Sequence, residues 1–226
     1  MMVTKLAFAA VIGALALSAT SAGAAQVFAT SYSMPNGDGQ ASGGSFNYWD
    51  KGYTGSGSTT TDGAALSGGL GDLTDGVVAN ALWFNTENAA GTGPYVGWYR
   101  PHTADPTITF NFAPGSFIDT IGIHFDNSQY GGVFTPNAIL VDGVARAFTG
   151  PSPGTNGFAF LSGLNLSGSS HTVQFQQPPG TWTFVSEVTF DGGRGVPEPA
   201  TWGLMIAGFG AAGAMLRRRR TAFARI

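Results

Sequence analysis

The chain has 226 residues, enough for one sizeable domain, and with no cysteine it has neither a disulfide framework nor a thiolate metal site. Glycine supplies 35 residues, roughly twice the usual ~7%, and charged residues 10% against an ordinary ~25%, which favours many short strands and turns over helices. Aromatics at 12% give enough bulk to argue against wholesale disorder, and between Gln26 and Val196 four Lys and Arg stand against twelve Asp and Glu, a net of −8 that repels nucleic acid and suits cations, neutral sugars or cation-bridged contact with acidic polysaccharide.

At the N-terminus, Lys5 precedes an apolar stretch from Leu6 to Leu17, and small residues follow from Ser21 to Ala25. This is the pattern of a cleavable signal peptide over residues 1–25, cut after Ala24 or Ala25; the apolar stretch is too short to span a membrane unaided. An ectodomain over residues 26–195 comes next. From Asn36 to Gly71 the chain is rich in Gly, Ser and Thr and predicts loops, with one short strand around Phe46 to Trp49. In Thr107 to Phe112, apolar Ile108, Phe110 and Phe112 alternate with polar residues, the pattern of a half-buried strand. After a turn at Pro114-Gly115, Ile121, Ile123 and Phe125 alternate with Gly122, His124 and Asp126, which are expected to face solvent. Further strands are expected at Ala138 to Val141 before an Asp142-Gly143 turn, Phe158 to Leu161, Thr172 to Phe175 and Trp182 to Phe190. Regular short strands predict an all-β fold, an antiparallel jelly-roll sandwich of two packed sheets.

Catalytic patterns are absent. His102, His124 and His171 are scattered, without H-E-x-x-H or G-x-S-x-G, and Glu87, Asp105 and Asp119 form no pair that sequence alone can establish. Gly208 to Gly213 fits G-x-G-x-x-G, but no strand precedes it, so close helix packing explains those glycines better than a nucleotide. Trp98 and Tyr99 are candidates for a sugar platform, because apolar sugar faces pack on aromatic rings, and Arg100 and His102 would supply donors nearby. Alternation from Tyr95 to Tyr99 equally allows these rings to be core, and Trp83 and Trp182 are read as core.

Leu73-Thr74-Asp75-Gly76 comes early, an aromatic-rich segment with Trp83 and Trp98 follows, and Gly131-Gly132-Val133 and Pro136 precede the final strand at Trp182 to Phe190. In this order, from Leu70 to Asp191, the chain resembles the discoidin-related, galactose-binding-like jelly rolls of carbohydrate-binding and cell-surface modules. That resemblance implies a structural Ca2+ tying the early Asp-Gly loop to a carboxylate of the last strand. Asp75 and Glu187 are the matching residues, and Asp72 could add a ligand. Hard Ca2+ takes six to eight oxygens, a set these residues could begin. The plainer alternative is an Asx turn at Asp75 and a solvated strand carboxylate at Glu187.

The third segment, residues 196–226, opens with Val196-Pro197-Glu198-Pro199. Two prolines hold the chain extended and present Glu198 on a stiff, accessible stretch. Trp202 suits the headgroup level, the apolar run Gly203 to Leu216 predicts a short transmembrane helix, and Arg217, Arg218, Arg219 and Arg220 fix an N-out, C-in orientation. In this order the segment resembles the PEP-CTERM sorting signal of Gram-negative bacteria, in the variant with Trp three residues after the second proline; Gly203 stands where that variant usually has Ala. The resemblance implies an exosortase as processing partner, passage through the inner membrane during sorting, and an association with exopolysaccharide. The expected protein is therefore a non-enzymatic, exported surface or matrix protein that binds carbohydrate. Its alternatives are a secreted polysaccharide hydrolase and a passive structural cargo.

Overall fold

The computed structural model describes residues 25–39, 44–192, 203 and 205–210. Of the expected signal peptide only Ala25 is described; the Pro197-Glu198-Pro199 motif, Trp202 and Arg217 to Arg220 lie outside the described residues. Residues 205–210 are helical, and among the described residues no helix is long and apolar enough to cross a membrane.

Period-two alternation builds two antiparallel sheets. The strands are β1 (Ala25–Gln26), β2 (Ala29–Pro35), β3 (Ala65–Gly69), β4 (Val96–Tyr99), β5 (Thr107–Phe112), β6 (Phe117–Asn127), β7 (Ala138–Val141), β8 (Val144–Arg146), β9 (Thr155–Leu161), β10 (Leu166–Ser167), β11 (Ser170–Gln176) and β12 (Trp182–Gly192). Among the described residues a short helix, α1 (Trp83–Thr86), and a 3-10 turn at Tyr130–Gly132 interrupt them. The first sheet runs β1-β12-β6-β10, with β4 also on β12 and β9 also on β6. The second runs β3-β2-β5-β11-β7-β8. The molecule is thus an all-β sandwich.

Inward-facing residues of both sheets close the main core. Ile108, Phe110 and Phe112 of β5 are buried as the alternation requires, facing Ile121, Ile123 and Phe125 of β6 and Val185, Val188 and Phe190 of β12. The Phe190 ring lies 4.9 Å from both Phe110 and Phe112, bridging the sheets edge-on. At the β7–β8 hairpin, Asp142 and Gly143 take φ of 49° and 76°, the two positive values that a tight two-residue turn needs.

The outer face of the first sheet departs from expectation. His124 and Asp126 are buried rather than solvated, because the chain from Ala79 to Tyr95 folds over β6 and β12. Asp126 Oδ2 accepts the Trp83 N–H at 2.8 Å, and His124 Nδ1 lies 2.8 Å from Ser186 Oγ. Under this cover Tyr48, Ala79, Trp83, Tyr95, Val133 and Phe184 form a second, smaller core. Among the described residues the strand expected around Phe46 to Trp49 reduces to isolated bridge residues at Phe46 and Asn47, the latter paired with Asn88, and β3 forms later.

Candidate functional site

Two places gather functional side chains, and a β-bulge makes the first. Between Val185 and Glu187 the β12–β6 register slips by one residue. A bulge re-aims side chains, and here Ser186 and Glu187 both reach the overlying loop. Ser186 Oγ accepts the Ala79 N–H at 3.2 Å, and Glu187 Oε2 accepts the Gly76 N–H at 2.9 Å. Asp75 Oδ1 accepts the Val77 N–H at 2.8 Å, an Asx turn that Gly76 permits with φ of 83°. The early loop and last strand therefore meet through the Gly76–Glu187 hydrogen bond, and Glu187 is buried there rather than the solvated strand carboxylate of the plainer alternative. A cavity of about 140 Å³ lies at this junction, lined by Thr74, Asp75, Gly76 and Glu187 among others. The Thr74 hydroxyl is buried without a partner.

Asp72 lies to the other side of Asp75, on a separate cavity, with its backbone N–H bonded to Asp50 Oδ1 at 3.0 Å. Asp50, which sequence reasoning did not single out, is fully buried and also takes the Tyr32 hydroxyl. It fits there because Gly71 has no Cβ; one would stand 2.2 Å from Asp50 Oδ1. Burial, then the charges of Asp50 and Asp75, push the Asp72 carboxyl up to about 8. Burial pushes Glu187 up to about 7, against the Gly76 N–H and with Asp75 adding to the rise. Glu87 reaches about 8 chiefly through burial, with Oε1 on the Tyr95 N–H at 2.9 Å and Oε2 unpartnered. A hard cation would suit these oxygens: the donors are all oxygen, carboxylates crowd, and an orphan hydroxyl lines the cavity. The fit holds for Thr74, Asp75 and Glu187. Asp72 and Glu187 line different cavities, so the three expected ligands are not gathered into one.

The second place is a cleft of about 590 Å³ at one end of the sandwich, lined by Asp38, Asp62, His102, Thr103 and Asp105 among others. At its edge Tyr99, half-buried, lies against Trp182 with ring centroids 4.8 Å apart and planes at 24°. His102 meets the Tyr99 ring edge-on at 5.3 Å. Arg100 Nε stands 3.5 Å from Asp105 Oδ1 with both side chains about one-third exposed. Tyr99 and Arg100 are thus both partly exposed. Trp98 is not: it is 0% exposed, its indole N–H donates to the Pro35 carbonyl at 2.8 Å, and it packs on Phe175. Strand parity sends Trp98 between the sheets and Tyr99 away from them, so the expectation of Trp98 as a sugar platform is corrected. Trp182 is only half-buried and lies beside the residues expected to bind.

Three comparisons bear on these features. The family model for the discoidin domain-containing receptor 1/2, DS-like domain, matches residues 29–142. A PEP-CTERM protein-sorting motif matches residues 195–220. Among solved structures, a chain of the Streptococcus pneumoniae beta-galactosidase BgaA is similar at 9% identity and a TM-score of 0.39, covering 53% of this chain and 82% of its own. No curated protein matches.

Proposed function

Because the chain belongs to the family of the discoidin domain-containing receptor 1/2 DS-like domain, and ends in a PEP-CTERM sorting motif, we propose that it is an exported, exosortase-processed protein whose β-sandwich binds carbohydrate without catalysis. Its destination is the cell envelope or extracellular matrix, alongside exopolysaccharide. The observation that carries the binding reading is the ledge of Tyr99 on Trp182 at the edge of the end cleft, with Arg100 and His102 beside it. A flat aromatic face next to hydrogen-bonding side chains is what a pyranose needs, its apolar C–H face stacking while its hydroxyls reach donors and acceptors. The surplus of carboxylates disfavours anionic ligands and leaves neutral sugars favoured.

Calcium serves in this reading as a structural ion at the loop-to-strand junction. Asp75, Glu187 and Thr74 would hold it through oxygen, and Asp72 flanks the same loop. Bound there, it would neutralise crowded carboxylates and clamp the early loop to β12. The ligand cleft itself needs no ion in this reading.

The experiment is glycan binding by the chain and by Tyr99→Ala. Loss of binding in Tyr99→Ala is expected, with the melting temperature lowered by only ~1–6 °C for the lost ring contacts. Equal binding by both proteins removes the ledge from the account.

A further inference from the structure

We propose that Asp38, Asp62 and His102 form a mixed carboxylate–imidazole site for a divalent transition metal, Zn2+ foremost, in the wall of the end cleft. The three residues are far apart in sequence: Asp38 follows β2, Asp62 precedes β3 and His102 follows β4. Folding brings one ligand atom from each to within 4.8 Å of the others. Ligands on a tetrahedral zinc at ~2.0–2.2 Å from the ion lie ~3.4 Å apart, so only a small closure is needed. His102 is exposed and sits on the turn after β4, where its side chain has room to make that adjustment.

The carboxylates are already oriented by donors behind them, as metal ligands generally are. Asp38 Oδ2 accepts the Tyr99 N–H at 2.6 Å, and Oδ1 accepts the Thr103 hydroxyl at 3.0 Å. Asp62 Oδ1 accepts the Gly39 N–H at 2.7 Å and the Trp49 indole N–H at 2.8 Å, which leaves Oδ2 for an ion. Asp38 is fully buried beside Asp62, a pairing of like charges that a cation would relieve.

The donor set selects the metal. An imidazole nitrogen with two carboxylate oxygens suits Zn2+ and its neighbours better than Ca2+, which takes oxygen almost exclusively. No cysteine competes, and the other two histidines are buried with Nδ1 engaged: His124 on Ser186, and His171 on Asp142 at 2.7 Å. Three protein ligands leave a zinc with an open position, and the cleft gives that position access to solvent or to a ligand oxygen. The site shares no residue with the Asp75–Glu187 junction and stands whether or not a glycan enters the cleft.

The test uses the full chain in detergent with Zn2+ alone as probe, in competition with a chromophoric chelator. One ion per chain is expected, weakened at least ~10-fold in His102→Ala and in Asp62→Asn, and unchanged in Asp75→Asn. With imidazole-labelled histidine, the NMR signals of His102 should move on adding Zn2+ while those of His124 and His171 stay. Trp49→Phe, which keeps all three ligands and removes only the indole donor, should weaken binding ~10- to 100-fold. Zn2+ binding that survives His102→Ala, or shifts confined to His124 or His171, would overturn the proposal, as would no measurable binding by the wild type.

Discussion

Replacing Glu187 by glutamine separates the electrostatics of the loop-to-strand junction from its hydrogen bonding. The carboxylate is 5% exposed and accepts one N–H, from Gly76; a glutamine oxygen can accept the same bond. Burial raises the carboxyl from the ordinary 4.5 to about 7, so the folded state holds the proton more tightly than the unfolded chain. A raised folded value means that this stability is fully present below pH 4.5 and is lost as pH rises through 7. The span between the two values is worth on the order of 3 kcal/mol, equivalent to ~6–12 °C in melting temperature for a domain of this size. Melts of wild type and Glu187→Gln in chelator at pH 4.5 and pH 8.5 should therefore show the variant gaining that amount, relative to wild type, on going to high pH. Asp72 and Glu87, both raised to about 8, will make each protein less stable as pH rises, so the difference between the two proteins is the quantity to read. Millimolar Ca2+ should narrow the difference at pH 8.5, because only wild type keeps the ligand and gains by mass action, about 0.4–1.4 kcal/mol at 1 mM for a site of ~10⁻⁴ to 10⁻³ M. A difference between the proteins that does not change with pH would refute the electrostatic reasoning, and a wild type indifferent to Ca2+ would leave Asp75 as a turn residue.

Two further outcomes follow from the description of the core and the tail. Trp98→Ala should destabilise the domain by ~3–5 kcal/mol in denaturant titrations, while glycan binding measured well below the melting temperature persists, because no face of that indole reaches the cleft. Glu198→Ala, or deletion of Trp202 to Arg220, should abolish processing and surface delivery, followed by immunoblot and fractionation, without moving the melting temperature of the sandwich; unchanged processing would sink the sorting account.

Alternation made much of the fold legible. The residues Thr107–Phe112 and Ala138–Val141 are strands with the expected ends, and Ile108, Phe110 and Phe112 face the core as their spacing requires. Period-two patterning says that a strand has two faces, but not what covers the second one. The alternation therefore places His124 and Asp126 on a face that it reads as solvated, whereas the segment from Ala79 to Tyr95 lies over them. The same ambiguity holds at Trp98 and Tyr99, where alternation separates the two rings without deciding which goes inside. From Asn36 to Gly71 local propensity is weak: Ala-Leu-Ser-Gly-Gly forms β3 because it pairs with β2, a tertiary contact that outweighs its glycines. Asp38, Asp50 and Asp62 all fall in that stretch. Their isolation among so few charges was the available signal, but nothing local announces that Asp38 and Asp62 meet His102.

The central claim, that this sorted β-sandwich is a carbohydrate-binding module, is tested most directly by a glycan array probed with the wild-type chain in millimolar Ca2+ and again in chelator. Saturable, selective binding to neutral glycans is predicted, with Ca2+ acting on stability rather than on selectivity. An array without saturable binding in either condition would contradict the claim and leave the chain a passive structural cargo of the sorting system.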